Sequence, residues 1–256
     1  MIGIIGGTGL YSLLEKARKK QVKTPYGRTS SPVFLGEVSG KPVAFIPRHG
    51  MQHKIPPHKV PYLANIYALK KLGVERIISV NAVGSLKNRI KPGDFVINDQ
   101  FINFTRRKDT FYDNRVIHIS PADPYCPELR KAAERTLKKL GYRFHPKGTI
   151  AVIEGPRFST RAESRFFSRY ADVINMTQYP EVVLARELEI CFLGISLVTD
   201  YDVGAPGWKP VNIEEVLRVF KENEERVKRF IFELLPEIPE KRSCPCSVAL
   251  KDAILS

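Results

Sequence analysis

Short apolar runs alternate with longer runs in which apolar residues recur every three or four positions, and this alternation continues along nearly the whole chain. Residues 2–5 read as a first strand and 43–47 as another, followed by a polar stretch over 48–59. Residues 60–72 carry Leu63, Ile66 and Leu69 at helical spacing and stop at Gly73, a natural C-terminal cap. Strands are then predicted over 77–80 and 95–97, the second after the turn Lys91-Pro92-Gly93-Asp94. A helix over 127–140 ends at Gly141, and a strand follows over 149–153. Further on come a helix over 160–170, a strand over 172–175, a helix over 180–189 with Pro180 in its first turn, and a long apolar strand over 191–199. Asn212, with Glu215 three residues on, starts a last helix that runs to about residue 235, where Pro236 closes it. Strand and helix in alternation predict a single α/β domain: a mixed, mostly parallel sheet flanked by helices. Residues 239–256 form a short tail that carries Cys244-Pro245-Cys246.

Composition adds limits. The chain has 256 residues, of which 43% are hydrophobic and 27% charged, as in ordinary globular proteins. No apolar run approaches the roughly 18 residues of a membrane span. The N-terminus reads as a strand with no basic leader, so a cytosolic protein is expected. The net charge of +14 reflects 41 basic against 27 acidic residues, scattered except for short clusters such as Arg106-Arg107-Lys108. A nucleic-acid binder would gather that excess on one face. A diffuse positive field fits a solvated surface and an anionic small substrate. Of the four cysteines, the Cys244-Pro245-Cys246 pair could form a small strained disulfide or contribute to zinc, although no second Cys or His pair stands nearby in sequence to complete four ligands.

In α/β sheets, ligands bind beyond the carboxyl ends of the strands. The first such loop is Gly6-Gly7-Thr8-Gly9, where close glycines let N–H groups approach an anion. It is neither G-x-G-x-x-G nor a Walker loop. An oxidoreductase reading of it lacks the acid about 20 residues on, since Arg18, Lys19, Lys20 and Lys23 occupy that region. The second loop runs Arg48-His49-Gly50 and on to His53 and His58. An Arg fork with His donors suits a phosphate better than a metal there, because Gly50 and Pro56-Pro57 interrupt any helix. The third is Asn81-Ala82-Val83-Gly84-Ser85, made of small residues. The fourth is Thr199-Asp200-Tyr201-Asp202, two carboxylates closing a buried strand, a pair suited to a metal or to protonating a leaving group.

Together these stretches, with residues 92–94, 153–159 and 175–177, resemble the 5′-methylthioadenosine phosphorylase branch of the trimeric purine nucleoside phosphorylase family, from residue 4 to about 235. The resemblance implies phosphorolysis of 5′-methylthioadenosine, with adenosine as a second substrate, in purine and methionine salvage. Inorganic phosphate is then a co-substrate, and neither a cofactor nor a metal is implied. The family's phosphate site falls on Thr8, Arg48, His49, Asn81, Ala82 and Thr177. Phe158 lies against the purine, Met176 on the ribose, and Asp200, Tyr201 and Asp202 toward the base, with Asp200 and Asp202 as catalytic candidates. His53, and His118 from a neighbouring subunit, approach the 5′ side. Ile213, Val216 and Leu217 line a methylthio slot. Relatives that prefer 6-oxopurines carry Asn and Ala at the positions of Asp200 and Asp202 and tend to carry Glu where Ser159 stands, so this chain takes the aminopurine form. The resemblance further implies homotrimers or dimers of trimers, with no nucleic-acid or membrane partner. It also implies Cys126–Cys191 and Cys244–Cys246 disulfides, as in thermophile proteins.

Overall fold

In the computed structural model, which describes residues 1–203 and 207–254 (Thr8 by its backbone only), eleven strands join in one sheet. In chain order the elements are β1 (Ile2–Gly6), β2 (Glu15–Lys20), β3 (Val33–Val38), β4 (Lys41–Pro47), α1 (Tyr62–Lys71), β5 (Arg76–Ser85), β6 (Phe95–Ile97), β7 (Gln100–Phe104) and α2 (Pro127–Lys139). There follow β8 (Phe144–His145), β9 (Thr149–Ile153), α3 (Arg161–Phe167), β10 (Val173–Asn175), α4 (Gln178–Glu187), β11 (Cys191–Tyr201), α5 (Ile213–Glu222) and α6 (Glu224–Glu237). The sheet is mixed, as its sequence predicts. The pairs β1–β4, β1–β5, β5–β11, β9–β10, β7–β9 and β6–β8 are parallel, and the other four pairings are antiparallel.

Alternation along each strand sends side chains to two separate cores. Ile78 and Val80 of β5 join Leu193, Ile195 and Leu197 of β11 beneath α2 and α6. Ile77 and Phe192 pack on the opposite face against α1 and α4. The result is three layers, with helices on both faces of the sheet.

The central strand β5 places the functional cleft. Its ten residues pair with β11 along their whole length. Its other edge pairs with β1 only from Arg76 to Ser79, and with β10 only at Gly84 and Ser85. Among the described residues, no strand covers that edge over 80–83. A register shift between Val198 and Asp200 then sets Asp200 opposite Gly84. Such bulges re-aim side chains beside active sites. A Cβ at Gly84 would lie 3.0 Å from Asp200 Oδ1 and 3.2 Å from Ile174, so a larger residue would crowd the carboxylate.

Several sequence expectations are corrected. The helix expected over 212–235 is two, because the Asn223 side chain donates to the Val219 carbonyl (2.9 Å) and ends α5. Pro236 sits in the last turn of α6 and does not close it. Strand β2 is Glu-Lys-Ala-Arg-Lys-Lys, a polar edge held by backbone pairing to β3, and it carries no apolar period to read. The tail is no appendage: Cys244 and Cys246 are buried in the main core, and Ile254 bridges to Ile117. The two expected disulfides are absent. All four cysteines are free and buried, and Cys191 Sγ lies 3.3 Å from Cys244 Sγ, a contact that belongs to neither expected pair.

Phe230 of α6 is fully buried and its ring centroid lies 5.9 Å from that of Phe95. Phe230→Ala should lower unfolding free energy by about 3–5 kcal/mol in urea denaturation. A loss under about 1 kcal/mol would show that α6 does not anchor this core.

Candidate active site

A cleft of about 690 Å³ opens at the uncovered stretch of β5, beyond the carboxyl ends of β1, β4, β5 and β11. Its walls fall into three chemically different zones.

The first is rich in glycine, basic and amide groups. Gly7 and Gly9 line it after β1, and Arg48 and His49 after β4. Arg48 is 3% exposed and its Nε and Nη2 donate to the two oxygens of Glu181 at 2.5 and 3.0 Å. His49 Nδ1–H donates to the Ile55 carbonyl at 2.8 Å, which turns Nε2 toward solvent or ligand as a lone pair. Burial first, and the Arg48 charge second, push the His49 pKa down to about 4, against the pull of that carbonyl. His49 is therefore neutral at neutral pH. The His53 ring lies 4.5 Å from it and its pKa is also lowered, by burial and then by Arg48. Asn81, Ala82 and Thr177 complete the wall. The Asn81 amide is no free donor, however: its Nδ2 is spent on Gln178 Oε1 (2.7 Å) and on Ser79, while its Oδ1 accepts from Thr177 Oγ1 (2.9 Å).

The second zone is acidic and dry. Burial raises the Asp200 carboxyl to a pKa of about 6, although the Thr199 hydroxyl donates to its Oδ2 (2.8 Å) and opposes the rise. Burial also raises Asp202, with Ser164, the Val203 backbone and Ser159 opposing. Asp202 Oδ2, Ser159 Oγ and Ser164 Oγ are all buried without a hydrogen-bond partner in acceptable geometry. Asp202 and Ser159 line the cleft and Ser164 does not, so two unpaired polar atoms are open there to a polar ligand edge. Phe158, 38% exposed, lies in the same wall, as does Met176. A Cβ on Gly155, at φ +68°, would collide with Met176.

The third zone is apolar. Ile213, Val216, Leu217 and Phe220 of α5 line the cleft at helical spacing. Ile213 and Leu217 are 54% and 56% exposed, so this face waits on the open side of the cleft.

The fold thus gathers Arg48, His49, His53, Asn81, Ala82, Phe158, Ser159, Met176, Thr177, Asp200, Asp202, Ile213, Val216 and Leu217. Three expected residues stand apart. The Thr8 side chain lies outside the described residues. Tyr201 turns to the ring of Trp208 and is not in the wall. His118 lies exposed away from this chain's own cleft, its N–H bonded to the Ala253 carbonyl. The sequence reading missed Ser79, Glu181 and Gln178, which brace the anion zone from behind, and Ser164. It also missed Arg107, which donates to the carbonyls of Glu154, Met176 and Tyr179. Apart from Arg107, in the loop after β7, none of these sits in a strand-end loop, and only contacts across the fold reveal them.

One compact metal-ligand set exists among the described residues, and it is far from the cleft. Cys126, Cys191, Cys244 and Cys246 bring their sulfurs within 4.8 Å of one another, a donor set a tetrahedral thiophilic cation would accept. Residue 191 begins β11 and Asp200 lies near its other end, roughly 30 Å away at strand rise. The sequence expectation that no partner pair completes such a set is corrected, because Cys126 and Cys191 are near the tail pair only in space.

The model of the Phosphorylase superfamily matches residues 1–236. The S-methyl-5′-thioadenosine phosphorylase of Pyrococcus abyssi is 60% identical over 252 residues, covering 98% of this chain and 97% of the relative. That of Thermofilum pendens is 59% identical over 259 residues, covering 99% and 98%. Among solved structures, a methylthioadenosine phosphorylase sourced from an Antarctic soil metagenomic library superposes with a TM-score of 0.94 at 41% identity, covering 99% of this chain and 92% of that one. The Schistosoma mansoni methylthioadenosine phosphorylase in complex with adenine gives 0.92 at 34% identity, covering 98% and 96%. No helix among the described residues is long and apolar enough to cross a membrane. With the family model spanning all three zones of the cleft, the chain belongs to the phosphorylase superfamily.

Proposed function

We propose that the chain is a 5′-methylthioadenosine phosphorylase that also accepts adenosine. The observation that carries this reading is the order of zones in one cleft: anion site, apolar α5 face and buried acid pair with an unpartnered oxygen. A phosphate oxygen attacks C1′ of the sugar as the C1′–N9 bond breaks, and its electron pair passes to the purine. A proton delivered to N7 completes adenine, leaving 5-methylthioribose 1-phosphate. Phosphate is itself the nucleophile, so the protein's work is positioning and proton transfer. No resident cofactor enters this scheme.

Asp200 suits the acid role because burial keeps its proton to about pH 6. Asp202 Oδ2 suits the exocyclic amine as an acceptor. A 6-oxo base would set acceptor against acceptor there and leave both unpaired. On α5, Ile213, Val216 and Leu217 offer the methylthio group a surface with no polar atom. Self-assembly is supported by an exposed aromatic cluster, in which Phe166 packs on Phe104 and Tyr170 with all three partly open to solvent. A neighbouring copy would be the source of His118.

Phosphorolysis rates on methylthioadenosine, adenosine and inosine test the substrate: the first should be fastest and inosine slowest, and inosine in first place would overturn it. Asp200→Asn should cut turnover about 10²–10⁴-fold with phosphate binding retained. The sign of its pH effect follows from the raised pKa: the useful neutral form is present below about pH 6 and is lost as pH rises through it. The kcat/KM for nucleoside at saturating phosphate should therefore fall above that pH in the unaltered protein, and this limb should vanish in Asp200→Asn. An unchanged limb would remove the acid assignment. Leu217→Ser should narrow the preference for methylthioadenosine over adenosine about tenfold, measured as a ratio of kcat/KM values. An unchanged ratio would place the methylthio slot elsewhere.

A further inference from the structure

Arg48 carries five N–H donors in a fixed fork. Nε meets Glu181 Oε1 at 2.5 Å, and Nη2 meets Glu181 Oε2 at 3.0 Å and Ser79 Oγ at 2.7 Å. One Nη1 hydrogen goes to the Val80 carbonyl at 3.0 Å. Four of the five hydrogens are committed inside the protein, which leaves one on Nη1 for a ligand in the cleft.

The partners that commit them are themselves held from behind. Ser79 Oγ donates to Glu181 Oε2 at 2.8 Å while accepting from Arg48 and from Asn81 Nδ2. Glu181 rides on the first turn of α4, next to Gln178, whose Oε1 accepts from Asn81 and Asn98. Neither Ser79 nor Glu181 reaches the cleft wall, whereas Arg48 does. The side chains of the ion pair are 3% and 2% exposed. Taking two charges out of water at such depth costs about as much as their attraction returns, so stability is a weak reason for the pair.

We propose that Glu181, braced by Ser79, is the positioning residue of the phosphate site, aiming one Arg48 hydrogen at the anion and balancing the guanidinium charge. This rests on the phosphorolysis reading above. An unpaired Arg48 would swing toward the phosphate and grip it with two hydrogens, drawing electron density from the oxygen that must attack C1′. With Glu181 in place, the fork is already occupied and its plane is fixed. The phosphate then meets one Arg48 hydrogen in place of a bidentate cationic grip and stays nucleophilic.

The test is kinetic. Glu181→Gln should lower kcat/KM for phosphate about tenfold or more, while the dissociation constant for adenine stays within about twofold. Because Glu181 acts through Arg48, the same substitution should cost almost nothing further in an Arg48→Ala background, a coupling read by the double-mutant cycle. Undiminished phosphate kinetics in Glu181→Gln would overturn the proposal. So would a parallel loss of adenine affinity, or a full additional loss in the Arg48→Ala background. If Glu181→Gln does not fold, Ser79→Ala removes one brace and leaves the ion pair, and it should lower phosphate kcat/KM about threefold with adenine affinity intact; a soluble Ser79→Ala with unaltered phosphate kinetics would overturn it. An unaltered chain that frees adenine without consuming phosphate would instead remove the phosphorolysis reading, a result distinct from a phosphate-dependent enzyme indifferent to Glu181.

Discussion

The whole site depends on one handover along β5. The strand loses β1 as a partner after Ser79 and gains β10 only at Gly84, while β11 holds it on the other side throughout. Over the uncovered residues the backbone edge faces a cleft instead of a neighbouring strand. Sheets seldom leave such an edge bare, because unpaired N–H and C=O groups in a buried setting are costly. Here the Val80 carbonyl takes a hydrogen from Arg48 in place of a strand partner. Everything else in the site is arranged around that edge: the loops after β1 and β4 on one side, the end of β11 on the other, and α5 across the mouth.

Charge is handled differently at the two ends. At the anion end the strongest cation is already paired, and burial keeps His49 neutral well below physiological pH. At the base end, burial raises both carboxyls, Asp200 to a pKa of about 6. The same desolvation thus disfavours the charged form of titratable groups at both ends of one cleft.

Much of this was legible from residue order alone. The apolar strands over 2–5, 43–47, 77–80 and 191–199 announced themselves, and the ligand loops follow them because strand ends face one side of a parallel sheet. Ile213, Val216 and Leu217 were named only through the family resemblance, and all three line the cleft. What stayed hidden depends on distance in space. Glu181 lies 133 positions from Arg48 and carries no signal apart from its place in an ordinary helix. The four cysteines read as two pairs along the chain, yet the fold gathers all four into one group. The all-polar strand β2 reads as surface loop because backbone pairing alone makes it a strand. Asn81 looked like a donor for phosphate by its position, and its neighbours absorb both of its amide hydrogens.

The central question is what attacks the sugar. Incubating the unaltered protein with methylthioadenosine and radiolabelled inorganic phosphate measures this directly. Phosphorolysis requires adenine release matched one for one by label in a sugar 1-phosphate, with no release when phosphate is withheld. Adenine formed without label in the sugar, or no adenine at all, would contradict it.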